Sequence, residues 1–226
     1  MWNKKILVGV TGSSDKDWQN KLKEVERFKI RKIGLFCEAF SKLQRERIYQ
    51  FLLKSKVKEI PFVHLKADMA REELVFLKNN FKTKFFSIHE EDFCILKKWQ
   101  GFYKNLYLEM NYDNYMSNLV QVDKISGFCL DLSHFKAAQV KNTKEYQYVM
   151  KRKKIKRYFR CNHLNGYSYE KNCDLHTVSN LKEFSYLKTL PKFVFSDCIA
   201  LELLNPIKEQ IDFKRYLVNL LSKVLF

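Results

Sequence analysis

Nine residues of this 226-residue chain are of the types that bind metal ions or move protons: His64, His89, Glu109, Asp131, His134, His163, Asp174, His176 and Glu202. All five histidines of the chain are among them. Their contexts repeat. Phe-Val precedes His64, Phe-Ser-Ile precedes His89, Tyr-Leu precedes Glu109, Cys-Leu precedes Asp131, and Arg-Cys-Asn precedes His163. In an extended segment Phe62, Ser87, Tyr107, Cys129 and Cys161 would each share a face with the polar residue two positions later. Imidazole and carboxylate donors in such numbers suit Zn, Mn or Fe(II). Carboxylates converging without a cation would repel one another and resist ionisation. Taken one at a time, a strand-end histidine is more often a hydrogen-bonded core or loop residue, and a lone glutamate is usually solvated or paired with lysine. The joint pattern carries the reading.

Such residues need elements that bring them to one place. Short apolar runs alternate with amphipathic stretches along the whole chain. Strands are predicted at residues 5–10, 32–36, 59–64, 84–89, 105–111, 127–131, 158–163 and 199–204. Helical stretches follow at 15–28, 40–53, 69–79, 92–99, 114–122, a long segment after residue 131, 178–187 and 207–224. Eight strand-then-helix units imply a parallel sheet, and eight is the number that closes a (β/α)8 TIM barrel. An open, doubly wound sheet is the alternative. No Pro- or Gly-rich linker divides the chain, so residues 1–226 read as one α/β domain. In a barrel the nine residues would lie at the C-terminal ends of strands three to eight or in the loops just after them, where barrel active sites form. Residues two positions earlier would make an apolar floor.

At these positions the sequence resembles the xylose isomerase-like TIM barrel superfamily, and its ligand order is most similar to the endonuclease IV branch. That resemblance implies three metal ions, zinc first, with manganese, magnesium or iron as the alternatives. His64, His89 and Glu109 would hold one. Glu109 would bridge to a second, shared with Asp131, His163 and Glu202, and His134, Asp174 and His176 would hold the third. The implied activity is hydrolysis of a phosphodiester, with DNA as the partner. The chain is shorter than those nucleases and leaves little room for long loops at the barrel mouth. The superfamily's sugar and sugar-phosphate isomerases and epimerases use one metal, here on Glu109, Asp131, His163 and Glu202. In them the two glutamates, catalytic, shuttle a proton beside the carbonyl. A multinuclear iron branch that modifies peptide cysteines has a similar ligand set.

Forty-two Lys and Arg against 25 Asp and Glu give a net charge of +17, which would suit a phosphate-bearing substrate. The densest run, Lys151-Arg-Lys-Lys-Ile-Lys-Arg157, precedes the seventh strand, on the face opposite the expected site. Lys66, Arg71 and Lys136 are better placed to meet a substrate, and Tyr167, with Tyr112 and Tyr115, could stack on a base or sugar. Trp99 reads as helix packing. The apolar stretch at residues 6–10 is too short for a signal-peptide core, and no segment has the length of a membrane span. Six scattered cysteines without a C-x-x-C pair fit reduced thiols in a cytoplasmic protein with no membrane partner. With 46% apolar and 15% aromatic residues the chain can bury a sizeable core.

Overall fold

The apolar runs form ten strands: β1 (Ile6–Val10), β2 (Lys32–Phe36), β3 (Glu59–His64), β4 (Phe85–Ile88), β5 (Leu106–Leu108), β6 (Phe128–Asp131), β7 (Phe159–Leu164), β8 (Gly166–Ser168), β9 (Cys173–Leu175) and β10 (Ile199–Leu201). The structure, a computed structural model, describes residues 2–12 and 14–225. Eight of the strands close into a parallel barrel in the order β1-β10-β7-β6-β5-β4-β3-β2. The open doubly wound alternative is therefore excluded. Strands β8 and β9 pair antiparallel as a separate hairpin between β7 and β10.

Alternation along the strands sorts side chains into two cores. Leu7, Phe36, Phe62, Tyr107, Cys129, Cys161, Cys198 and Ala200 pack together inside the barrel. The opposite faces, such as Ile33, Leu35, Val63, Phe86 and Leu130, join the larger core shared with the helices. The interior leaves no room for a side chain where β1 meets β10 at Gly9. A Cβ on Gly9 would lie 1.8 Å from the Leu201 carbonyl oxygen and 2.8 Å from the Phe36 ring. Small residues on β1, β2 and β10 thus make room for the Phe36 and Phe62 rings, whose centroids lie 5.6 Å apart. Those rings form the floor of the mouth.

Helices α1 (Asp15–Arg27) and α2 (Lys42–Lys54) each begin with a serine capping box, at Ser14 and Ser41. Helices α3 (Arg71–Phe81), α4 (Leu132–Lys141), α5 (Lys144–Lys151) and α6 (Ile207–Leu225) complete the α-helical layer. The expected helix at 114–122 does not form. Asn114 is left-handed (φ 66°), and the side chains of Asp113 and Ser117 accept from the backbone of Tyr115 and Leu119. Such local bonds compete with helical ones. The single long helix expected after β6 is broken into α4 and α5 by left-handed Asn142 and by Thr143, which caps α5. The stretches expected to be helical near 92–99 and 178–187 are 3-10 turns, Glu91–Trp99 and Leu181–Thr189.

The basic run ends α5 and leads into β7, so it enters the barrel at the N-terminal end of the strands, as its position predicts. Lys5, Lys32, Lys58, Lys84, Lys104 and Lys124 stand at or just before the other strand starts from β1 to β6. No helix among the described residues is long and apolar enough to cross a membrane.

Candidate metal centre

His64 is the last residue of β3, and His89 and Glu109 follow β4 and β5 directly. Asp131 ends β6 and His163 lies within β7, where the two are register partners. Glu202 follows β10, two residues beyond Ala200, the partner of His163 on the other side. All six therefore stand on interior-facing positions near the C-terminal ends of the strands, close to the Phe36, Phe62, Cys129 and Cys161 cluster.

The donor atoms converge. His163 Nδ1 lies 2.9 Å from Glu109 Oε2 and 3.2 Å from Glu202 Oε2. His64 Nδ1 lies 3.1 Å from Glu109 Oε2. One donor atom from each of Glu109, Asp131, His163 and Glu202 falls within 4.8 Å of the others, and all four residues are buried. His134, in the first turn of α4, extends the cluster: its Nδ1 is 3.7 Å from Glu109 Oε1 and its Nε2 3.8 Å from Asp174 Oδ1. Asp174, on β9, is 2.9 Å from His176 Nε2. The hairpin thereby delivers the last two predicted residues to the mouth. His134, Asp174 and His176 are neighbours but do not gather their donor atoms as tightly as the four-residue group.

Outer partners fix the orientation. Ser87 Oγ is 3.2 Å from His163 Nε2, and the His176 Nδ1 lies 3.1 Å from the Glu202 carbonyl oxygen. Asp131 Oδ1 accepts from Ser133 N, Ser133 Oγ and His134 N as the N-cap of α4, and Oδ2 accepts from Asn165 Nδ2. The Phe62 ring meets the His163 ring edge-on at 4.9 Å. Tyr112 packs its ring 4.4 Å from His134 and donates its hydroxyl to Asp174 Oδ1 at 2.7 Å.

Charge and burial oppose each other here. Burial works to raise the Glu109 carboxyl, but His163 and His64 beside it outweigh burial and hold it well below the usual range. Glu202 is lowered in the same way, against its burial, by His163. Burial disfavours charge on His163, yet its anionic neighbours, Glu109 and Glu202 among them, raise it well above the usual value. Asp174 and His176 shift apart because they face each other: the carboxyl falls, and the imidazole rises to about 9.

The donor set fits a cation. The buried atoms His64 Nδ1 and Nε2, His89 Nε2, Glu109 Oε2, His134 Nδ1 and His163 Nδ1 make no hydrogen bond among the described residues. They face one another or Glu38 as ion pairs without hydrogen-bond geometry, which is unusual for buried polar atoms. A divalent ion would satisfy them and cancel the carboxylate repulsion.

No protein-family model matches the sequence, and neither does any curated protein. The fold is similar to that of a D-tagatose 3-epimerase-like protein, with a TM-score of 0.55 and 16% identity over 96% of this chain and 98% of that one. An isomerase candidate from Sinorhizobium meliloti, in an open-loop conformation, aligns with a TM-score of 0.44 and 11% identity, over 87% of this chain and half of that one. At 16% identity the first likeness shows the fold alone, a closed (β/α)8 barrel. It does not show the closeness to endonuclease IV that the ligand order suggested.

The expected substrate-binding residues lie in the turn, hairpin and helices that follow β3, β6 and β7. Arg71 is exposed, donates Nε to the Gln100 carbonyl and lies over the Phe102 ring. Lys136 Nζ donates to Gln139 Oε1. Tyr167 is buried in the β8–β9 hairpin, against Tyr186, and bonds Asn172. Lys66 is half-buried in the turn after β3. Of the mouth aromatics only Tyr112 reaches the centre, while Trp99 packs in the core and donates to the Met69 carbonyl. Sequence reasoning missed Glu38. It follows β2, two residues after interior Phe36, so the same two-residue spacing that marks the others could have found it. Its Oε1 is 3.2 Å from His89 Nε2 and its Oε2 3.5 Å from His64 Nε2.

Proposed function

We propose that the protein is a metal-dependent isomerase or epimerase acting on a sugar or sugar phosphate. The observation that carries this reading is the buried group of Glu109, Asp131, His163 and Glu202, in which two glutamates flank one imidazole nitrogen. A divalent ion held there would polarise a carbonyl or hydroxyl oxygen of the substrate. The chain's own part is the proton. Glu202, the more accessible glutamate, is held ionised beside His163. An ionised carboxylate can take a proton from the carbon next to a carbonyl, and Glu109 supplies the second carboxylate for its return. The Phe36 and Phe62 rings would give the reacting carbons an apolar floor. The whole-length likeness to the fold of a D-tagatose 3-epimerase-like protein supports this reading.

A second reading, phosphodiester hydrolysis at several metal ions, is favoured by one specific observation. His134, Asp174 and His176 continue the network beyond the four ligands that an isomerase needs. One experiment separates the two. The Co2+- or Mn2+-loaded protein is incubated with ketoses, aldoses and their phosphates in D2O, and carbon-bound deuterium is followed by NMR. Exchange that is lost in Glu202→Gln is expected. No exchange with any sugar, together with cleavage of an abasic-site duplex, would replace the isomerase reading by the hydrolase.

A further inference from the structure

We infer that Glu38, His64 and His89 hold a second divalent cation, separate from the one on the four-residue group, and that Glu38 is its carboxylate ligand. The inference goes beyond the isomerase reading and does not require it. The three residues come from three successive strand ends, β2, β3 and β4, and their donor atoms fall within 4.8 Å of one another. Glu38 reaches His89 Nε2 with one carboxylate oxygen and His64 Nε2 with the other. The two imidazole rings lie 4.7 Å apart.

His64 decides how the sites divide. Its two nitrogens point to different carboxylates, Nδ1 to Glu109 at 3.1 Å and Nε2 to Glu38 at 3.5 Å. A neutral imidazole offers one lone pair and one N–H. With Nε2 on a cation, Nδ1–H donates to Glu109, the carboxylate–histidine–metal arrangement that fixes ligand orientation. With Nδ1 on a cation shared with Glu109, Nε2–H would face Glu38, and His89 would keep no cation. The first arrangement uses both carboxylates and all three imidazoles, His64, His89 and His163. Two imidazoles and one carboxylate are the donors of zinc and non-haem iron sites with open positions.

Glu38 is also held in place by backbone. Cys37 N donates to the His64 carbonyl, and Phe40 N donates to the Cys37 carbonyl, closing a turn with Glu38 near its apex. Cys37 and Phe40 are buried on either side. A side chain 52% exposed could swing freely to solvent, yet it lies between two histidines with one carboxylate oxygen facing each.

The test is metal binding, not turnover. The full chain is stripped with chelator and titrated with Co2+ alone, followed by calorimetry and visible absorbance. Two equivalents are expected per chain. Glu38→Gln and His89→Gln should each weaken the same equivalent at least about tenfold and leave the other within about twofold, since even outer-shell partners of a ligand are worth 10–100-fold. Glu202→Gln should weaken the other one. Thermal melts in chelator check folding, and Glu38→Asp, which keeps the charge on a shorter arm, should bind more tightly than Glu38→Gln. One equivalent in the wild type, lost in Glu202→Gln and kept in Glu38→Gln, would overturn this inference and leave the four-residue centre standing. Two equivalents that both survive Glu38→Gln would also overturn it. Two equivalents with the expected variant pattern, but no deuterium exchange into any sugar, would leave it standing and remove the isomerase reading.

Discussion

Ser87→Ala tests whether the centre works as drawn, because Ser87 touches no cation in any arrangement and acts only through His163. The His163 ring has Nδ1 toward Glu109 and Glu202 and Nε2 3.2 Å from Ser87 Oγ. For Nδ1 to present its lone pair to a cation, Nε2 must carry the proton, and Ser87 then accepts it. Both residues are fully buried, so no water replaces the missing hydroxyl. The tautomer is left unfixed and one buried N–H unpaired. Loss of such a partner weakens metal binding about 10–100-fold, or roughly 1.4–2.7 kcal/mol. In chelator the unpaired N–H costs at least about 1 kcal/mol, roughly 2–4 °C in a chain of this size. The assay is competition for Co2+ or Zn2+ against a chelator of known affinity, with a thermal melt of the metal-free protein alongside. Ser87→Ala binding metal within about threefold of the wild type, with the melt lowered as expected, would refute the assignment of His163 Nδ1 as a ligand, because the expected effect is at least tenfold.

Chelation should itself lower stability: saturating a site at about 100 times its dissociation constant contributes about 2.7 kcal/mol, or roughly 5–11 °C. A melting temperature that neither chelator nor added Zn2+ moves would remove the metal centre altogether. Gly9→Ala should fail to fold or be severely destabilised, because its Cβ would meet the Leu201 carbonyl at 1.8 Å; a variant melting within a few degrees of wild type would show that β10, and with it Glu202, can shift. Lys21, 3% exposed, donates to the Leu203 carbonyl, and burial lowers its ammonium to about 8 against the partial opposition of Asp17 and Glu24. Its unfolded form holds the proton up to about 10.4, so the unfolded state binds more protons between those values and stability rises with pH there. Compared with Lys21→Met, the wild type should gain about 2.5 kcal/mol from pH 8 to 10.5 in denaturant melts; parallel pH profiles would place Lys21 in a wetter site.

The barrel was legible because eight strand-like runs alternate with helical stretches, and the positions of Phe62, Cys129 and Cys161 beneath His64, Asp131 and His163 follow from the two-residue period of a strand. Bringing Asp174 and His176 to the mouth needed more, namely the β8–β9 hairpin, whose three-residue strands are too short to give a period-two signal. Glu38 escaped because it lies in a turn beyond the strand, where its two-residue spacing from Phe36 is the single mark that sets it apart from the many surface charges. The failed helix at 114–122 had the right apolar spacing. What it lacked was freedom from Asp113, Asn114 and Ser117, each of which favours a turn over a helix. Arg71 and Lys136 were placed by sequence position, which sets where a residue starts and not where a long side chain ends.

The charge of the molecule and the charge of its mouth have opposite signs, and distance keeps them apart. Lysines at the strand entries lie at the far end of strands of up to six residues, about 20 Å at 3.3 Å per residue. The Debye length at physiological ionic strength is about 8 Å, so most of their field is screened before it reaches the mouth. At the mouth itself Glu38, Glu109, Asp131, Asp174 and Glu202 face the histidines, while Arg71 and Lys136 bond their own neighbours. An anionic group entering there would meet carboxylates first. Attraction for a phosphate or an enolate oxygen therefore has to come from cations seated among those carboxylates, and the number of cations seated decides how much negative charge the substrate can carry.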